Sequence, residues 1–159
     1  MLCFRVPSLL CLIALLATAS LTMADTFTGK VVTIGDGDSL TVLTSSQKQV
    51  RIRLEGIDAP ESKQAFGSAS KKSLSELAFG REVKVVVSTT DDYGRKVAQV
   101  YLGTFWVNLA QVERGMAWHY TQYSRDPRLH AAEVYARTSK IGLWSGKNPT
   151  PPWSYRHRR

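Results

Sequence analysis

Cysteine is nearly missing from this 159-residue chain; it occurs at Cys3 and Cys11 and nowhere beyond. Everything after position 11 is therefore without a disulfide of its own, a thiolate metal site or a cysteine nucleophile. Histidine is also scarce, with His119, His130 and His157 scattered along the second half. No His/Glu spacing matches a zinc motif, and no serine stands in a nucleophile elbow. His119 lies between Trp118 and Tyr120 without a carboxylate close in sequence, which argues against a catalytic base there. Internal repeats and domain-splitting linkers are absent. Long apolar runs are limited to one, over residues 6–21, with Arg5 before it and small residues up to Ala24 after it. That run is short for a membrane span and has the three-part plan of a secretory signal peptide, residues 1–24, cleaved after Ala24 or Ala19. The expectation is one domain over residues 25–145 and a Pro-rich basic tail over 146–159. Such a protein would be secreted or periplasmic, monomeric, and off the membrane once its leader is removed.

What the chain has in excess is positive charge. Lysine and arginine number 21 against 13 acidic residues, a formal net charge of +8. That sign favours polyanionic partners, nucleic acid or anionic lipid. The helical stretches show no apolar-plus-basic faces of an interfacial helix, so nucleic acid is the better fit.

Period-two alternation marks five strands, at 26–34, 38–44, 49–55, 81–89 and 95–102. Helical spacing falls between the third and fourth, at 66–79, with Phe66, Ala69, Leu74, Leu77 and Ala78 inward. A short helix is expected from Asn108, as its cap, through Arg114, ended by Gly115. Asp126-Pro127 opens another that runs to about Lys140, with Leu129, Ala132 and Ala136 on its inner face. The prolines at 149, 151 and 152 are expected to prevent a helix in the tail, leaving a mobile basic end. This order predicts an α+β domain that is mainly a β barrel: a five-stranded Greek-key barrel of the OB type with about three helices.

Three stretches hold the unusual polar residues. Gly35-Asp36-Gly37-Asp38-Ser39 joins the first two strands, and Arg53 leads into Asp58, Ala59 and Glu61 just past the third. Tyr93-Gly94-Arg95 joins the fourth and fifth. Read singly, each is also a plausible plain turn. Together they supply parts of one chemistry. Asp38 and Asp58 can share a hard cation with backbone carbonyls and water, Glu61 can orient or deprotonate a water, and Arg53 and Arg95 can grip phosphate oxygens. Tyr93, and Tyr120 or Tyr123, can stack on a nucleotide or simply pack at the surface.

The chain resembles the thermonuclease family, whose type member is the staphylococcal (micrococcal) nuclease. The resemblance runs from about Thr26 to Trp144. It rests on Asp36-Gly37-Asp38-Ser39, Arg53-Leu54-Glu55-Gly56-Ile57-Asp58-Ala59-Pro60-Glu61 and Asp92-Tyr93-Gly94-Arg95, in that order. It implies Ca2+ held by Asp38, Asp58 and the Ala59 carbonyl, with Arg53, Glu61 and Arg95 as catalytic residues. Glutamate would serve as the base and the arginines would act on the scissile phosphate. It also implies cleavage of the P–O5′ bond in DNA and RNA, leaving 3′-phosphate ends. Four features depart from the type member. Ala59 and Ser39 replace threonines, Asp92 replaces a lysine, and the loop after Glu61 is shorter. The rival readings are a non-catalytic nucleic-acid-binding barrel and a basic interaction domain. Neither requires Arg53, Asp58, Glu61 and Arg95 together.

Overall fold

A computed structural model describes residues 25–157; the proposed leader lies outside them. In chain order the elements begin with β1 (Asp25–Ile34), β2 (Ser39–Thr44), β3 (Gln49–Leu54), β4 (Ile57–Asp58) and α1 (Gly67–Ala78). Then come β5 (Glu82–Thr90), β6 (Lys96–Leu102), β7 (Phe105–Trp106), α2 (Val107–Glu113), β8 (Trp118–His119) and α3 (Pro127–Thr138). A 3-10 turn at Gly142–Ser145 and the short α4 (Pro152–Arg156) close the series. The five long strands start and stop within one residue of the positions that alternation predicts.

β1, β2 and β3 form an antiparallel meander, β1 also pairs with β5, and β5 with β6. β6 then returns to β3 in parallel, Ile52–Leu54 alongside Lys96–Ala98, which closes five strands into a barrel. Closure leaves the long strands with few unpaired edges. β4 and β8 make a separate two-stranded ribbon. The inward rows, Val31, Val42, Ile52, Val85 and Val100, are wholly inaccessible. Each such side chain contributes about 1.5–3 kcal/mol by leaving water. Among the described residues, no helix is long and apolar enough to cross a membrane.

The three expected helices are present, with instructive differences. In α1 the buried face includes Ser70 and Ser73, whose hydroxyls donate to Met116 O at 2.5 Å and Gln111 Oε1 at 2.6 Å. Asp126 caps α3 as expected, accepting from Arg128 N at 2.8 Å ahead of Pro127. Asn108 is not a cap. It lies inside α2, completely buried, where its Oδ1 accepts from Val100 N and its Nδ2 donates to the carbonyls of Glu55 and Ala98. One amide thus fastens α2 to β6 and to the turn that follows β3. Asn108→Ala takes this partner from Val100 N and Glu55 O, at about 1–3 kcal/mol each, while Ala98 O keeps the Glu55 N–H at 2.8 Å. A loss on the order of 3 kcal/mol is expected in urea unfolding, as a lower midpoint at unchanged slope.

The tail is the larger difference. Proline was expected to exclude helix there, yet Pro152 sits in the first turn of α4, where a missing N–H costs nothing. Pro152 is buried and Trp153, Ser154 and Tyr155 are half-buried on the domain, and Arg156 reaches Asp58 and Glu61.

Candidate active site

The β1–β2 turn, the end of β3 and the β5–β6 turn meet around a cleft of about 640 Å³. The β1–β2 turn is built by its own polar atoms. Asp36 Oδ1 accepts from Ser39 Oγ at 2.7 Å and from Asp38 N at 3.2 Å. Behind it, Gln111 Nε2 of α2 donates to Gly37 O at 2.7 Å. Gly37 is required there, because a Cβ would fall 1.7 Å from Ser70 Oγ. The register then sets Ser39 across from Arg53, and Leu54 N donates to Asp38 O at 2.8 Å. Arg53 is thereby placed beside Asp38.

Asp38 and Asp58 are 4% and 1% exposed and share that one guanidinium. Arg53 Nη1 lies 2.8 Å from Asp38 Oδ2, and Nη2 lies 2.8 Å from Asp58 Oδ1. Ala59 N also donates to Asp38 Oδ2, at 2.5 Å. Burial pushes the Asp38 carboxyl up to about 8, against the pull of Arg53 and with the charges of Asp36 and Asp58 adding to it. Burial raises Asp58 too, in spite of Arg156 and Arg53. Asp38, Asp58 and Glu61 set three carboxyls, two of them buried, against two contacting guanidiniums, Arg53 and Arg156, and so are one positive charge short. A hard divalent cation supplies it, and the oxygen-only donor set of Asp38, Asp58 and the Ala59 carbonyl suits one. Among the described residues no three His, Cys, Asp or Glu side chains gather as a metal-binding group. A cation here would accordingly rest on two carboxylates, backbone oxygen and water.

Glu61 stands on the loop beyond β4, its side chain 35% exposed at the cleft. On the opposite wall, Arg95 is held by Asp91, whose Oδ2 lies 2.7 Å from its Nε. Burial opposes ionisation of Asp91, but the N–H groups of Arg95 and Tyr93 and the Arg95 guanidinium outweigh it and hold the carboxyl low. Tyr93 is 76% exposed at the rim, its ring 5.6 Å from the Arg95 guanidinium carbon. Tyr120 borders the cleft but is stacked on Trp153, 5.2 Å between centroids and 5° between planes. Tyr123, 70% exposed, meets Tyr120 edge-on at 4.8 Å.

The structure therefore brings Asp38, Arg53, Ala59, Glu61 and Arg95 together around one cleft, with Asp58 buried beside it on Arg53 and with Tyr93 and Tyr120 at its border. His119 stands apart, 4% exposed on β8, its neutral form favoured by burial. Three contributors were not anticipated from the sequence. Asp91, which holds Arg95, looked like an ordinary turn residue. Gln111, which pins the Gly37 turn, falls inside the short helix expected over 108–114, where no sequence signal singles it out. Arg156 looked like tail.

A barrel that presents buried carboxylates, a rim glutamate and arginines from separate turns has the makings of a phosphodiesterase site. The family model described as "Staphylococcal nuclease homologue" matches residues 51–146. An "Uncharacterized endonuclease" of Haemophilus influenzae is 45% identical over 131 residues, which is 82% of this chain and 74% of that protein. A "Micrococcal nuclease" of Shigella flexneri is 40% identical over 141 residues, 82% of this chain and 80% of its own. An "Uncharacterized endonuclease" of Escherichia coli O157:H7 is 46% identical over 132 residues, covering 82% and 86%. The chain belongs to the staphylococcal nuclease family and is accordingly a nuclease, a phosphodiester hydrolase.

Proposed function

We propose that this nuclease hydrolyses the P–O5′ bond of DNA and RNA with calcium as cofactor, little sequence preference and 3′-phosphate products. The observation that supports the reading is the pair of buried aspartates bridged by Arg53, with Glu61 and Arg95 facing the adjoining cleft. Calcium on Asp38, Asp58 and the Ala59 carbonyl would neutralise charge developing on the phosphate. Glu61 takes the proton of the attacking water as its oxygen adds to phosphorus. The P–O5′ bond breaks, and the leaving oxygen acquires a proton to become a hydroxyl. Arg95, held by Asp91 through Nε, keeps its terminal nitrogens for two phosphate oxygens. Arg53, on the other side, balances the aspartates and the phosphate. Tyr93 and Tyr120 supply faces against which a base can stack. The leader-like residues 1–24 support delivery to the periplasm or medium, and a monomer suffices for this site.

Purified residues 25–159, incubated with plasmid DNA, test the reading. Cleavage is expected with calcium and should stop in excess chelator. Full activity in chelator, or activation by zinc alone, would overturn it. Because the cleft offers charge rather than base-edge recognition, the logarithm of the affinity of an inactive Glu61→Gln variant for an oligonucleotide should fall linearly with the logarithm of salt concentration. Fluorescence anisotropy across a salt series reads this out, and tight salt-insensitive binding to one sequence would contradict it.

A further inference from the structure

Residues 146–156 form a strap that ends in α4 at the cleft. Trp153 anchors it, flat on Tyr120 and edge-on to Trp118 at 5.6 Å. Two hydrogen bonds tie it to the loop that follows Glu61. Gln64 Nε2 donates to Thr150 O at 2.6 Å, and the Tyr155 hydroxyl donates to Lys63 O at 3.2 Å. From this footing Arg156 extends into the cleft, where Nη2 donates to Asp58 Oδ2 at 2.9 Å and Nη1 to Glu61 Oε1 at 2.8 Å. Nη1 also lies 3.2 Å from Asp58 Oδ1. One planar guanidinium therefore spans two carboxylates of different duties, which the fork of an arginine does and a lysine cannot.

Resting on the nuclease reading above, we propose that the strap is a working part of the active site and that Arg156 is a positioning residue, fixing Glu61 at a constant distance from Asp58. Glu61 needs such a device. It stands on a loop without regular structure until Gly67, and Arg156 is the one side chain among the described residues that holds its carboxylate. The backbone of the same loop is tied only by short-range turns and by the strap. A base displaced by about 1 Å loses on the order of a hundredfold in rate. A removable plug would make the same ion pairs, but two of the strap's other anchors, Gln64 to Thr150 and Tyr155 to Lys63, hold the Glu61 loop itself and not the cleft carboxylates. They suit a permanent brace.

The test uses the whole chain with Arg156→Gln, Arg156→Lys and Arg156→Ala, all of which leave Trp153 and both loop hydrogen bonds in place. In saturating calcium, kcat should fall about 10–100-fold in Arg156→Gln with KM within about twofold, and lysine should recover only part of the loss. Millimolar guanidinium should restore turnover to Arg156→Ala and leave Glu61→Gln unaffected. Without metal, backbone amides of residues 60–67 should exchange with deuterium faster in Arg156→Gln than in wild type. Unchanged kcat together with unchanged exchange would overturn the proposal, as would a kcat above wild type, which marks a plug. If wild-type protein shows no calcium-dependent cleavage, the nuclease reading fails, while the metal-free exchange still decides whether Arg156 braces the loop.

Discussion

Glu61→Gln is expected to lower turnover by about 10²- to 10⁴-fold, the span over which a positioned general base contributes. Glutamine keeps the size of the side chain and an oxygen to accept from Arg156 Nη1, now 2.8 Å from Glu61 Oε1. It cannot take a proton from water. Substrate affinity should therefore hold while the chemical step fails, a fall in kcat at nearly constant KM. Because the side chain is 35% exposed, unfolding stability should barely move. Single-turnover cleavage of an end-labelled oligonucleotide in saturating calcium measures the step directly. A rate within about twofold of wild type would remove Glu61 from the mechanism.

Arg95→Ala is expected to cost about 10²–10³ in turnover, about 2.7–4 kcal/mol, as for loss of one preorganised donor to developing charge. Asp91 fixes the guanidinium through Nε at 2.7 Å and accepts the Arg95 backbone N–H at 2.9 Å, so the donor is oriented before substrate arrives. Weakening of substrate binding should be much smaller than the loss of rate, because the contact strengthens as the phosphate gains charge. Arg53→Lys should fail for a different reason. Its guanidinium reaches Asp38 and Asp58 simultaneously, each at 2.8 Å, and a single ammonium cannot reproduce that two-pronged contact. The comparison of the two variants separates loss of a transition-state contact from loss of a charge-balancing one. Weaker substrate binding at unchanged kcat for Arg95→Ala would mean that it only holds substrate.

Much of this site was legible because its residues lie close in sequence to strands that alternate cleanly. Val50, Ile52 and Leu54 mark β3, and the strand then delivers Arg53 next to Asp38 by register alone. Asp58 and Glu61 follow within the same turn. Arg156 escaped notice because 95 residues separate it from Glu61, and its neighbours carry the prolines and positive charge of a loose tail. The packing of Trp153 on Tyr120 and Trp118, with the hydrogen bonds of Thr150 and Tyr155 to the Glu61 loop, brings it back. Asn108 illustrates a different limit. An asparagine near a helix start reads locally as a cap, and nothing in its neighbourhood announces that three backbone groups on β3's exit and β6 require it. Ser70 and Ser73 make the same point on α1, where buried hydroxyls are satisfied by a distant loop and helix.

The central claim is that Asp38 and Asp58 together hold the catalytic cation in this cleft. Calorimetric titration of calcium into wild-type protein and into the Asp38→Ala/Asp58→Ala double variant tests it most directly, with circular dichroism to establish that both are folded. One calcium per wild-type chain is predicted, and no measurable binding to the folded double variant. Binding of the same stoichiometry and affinity to both would contradict the claim.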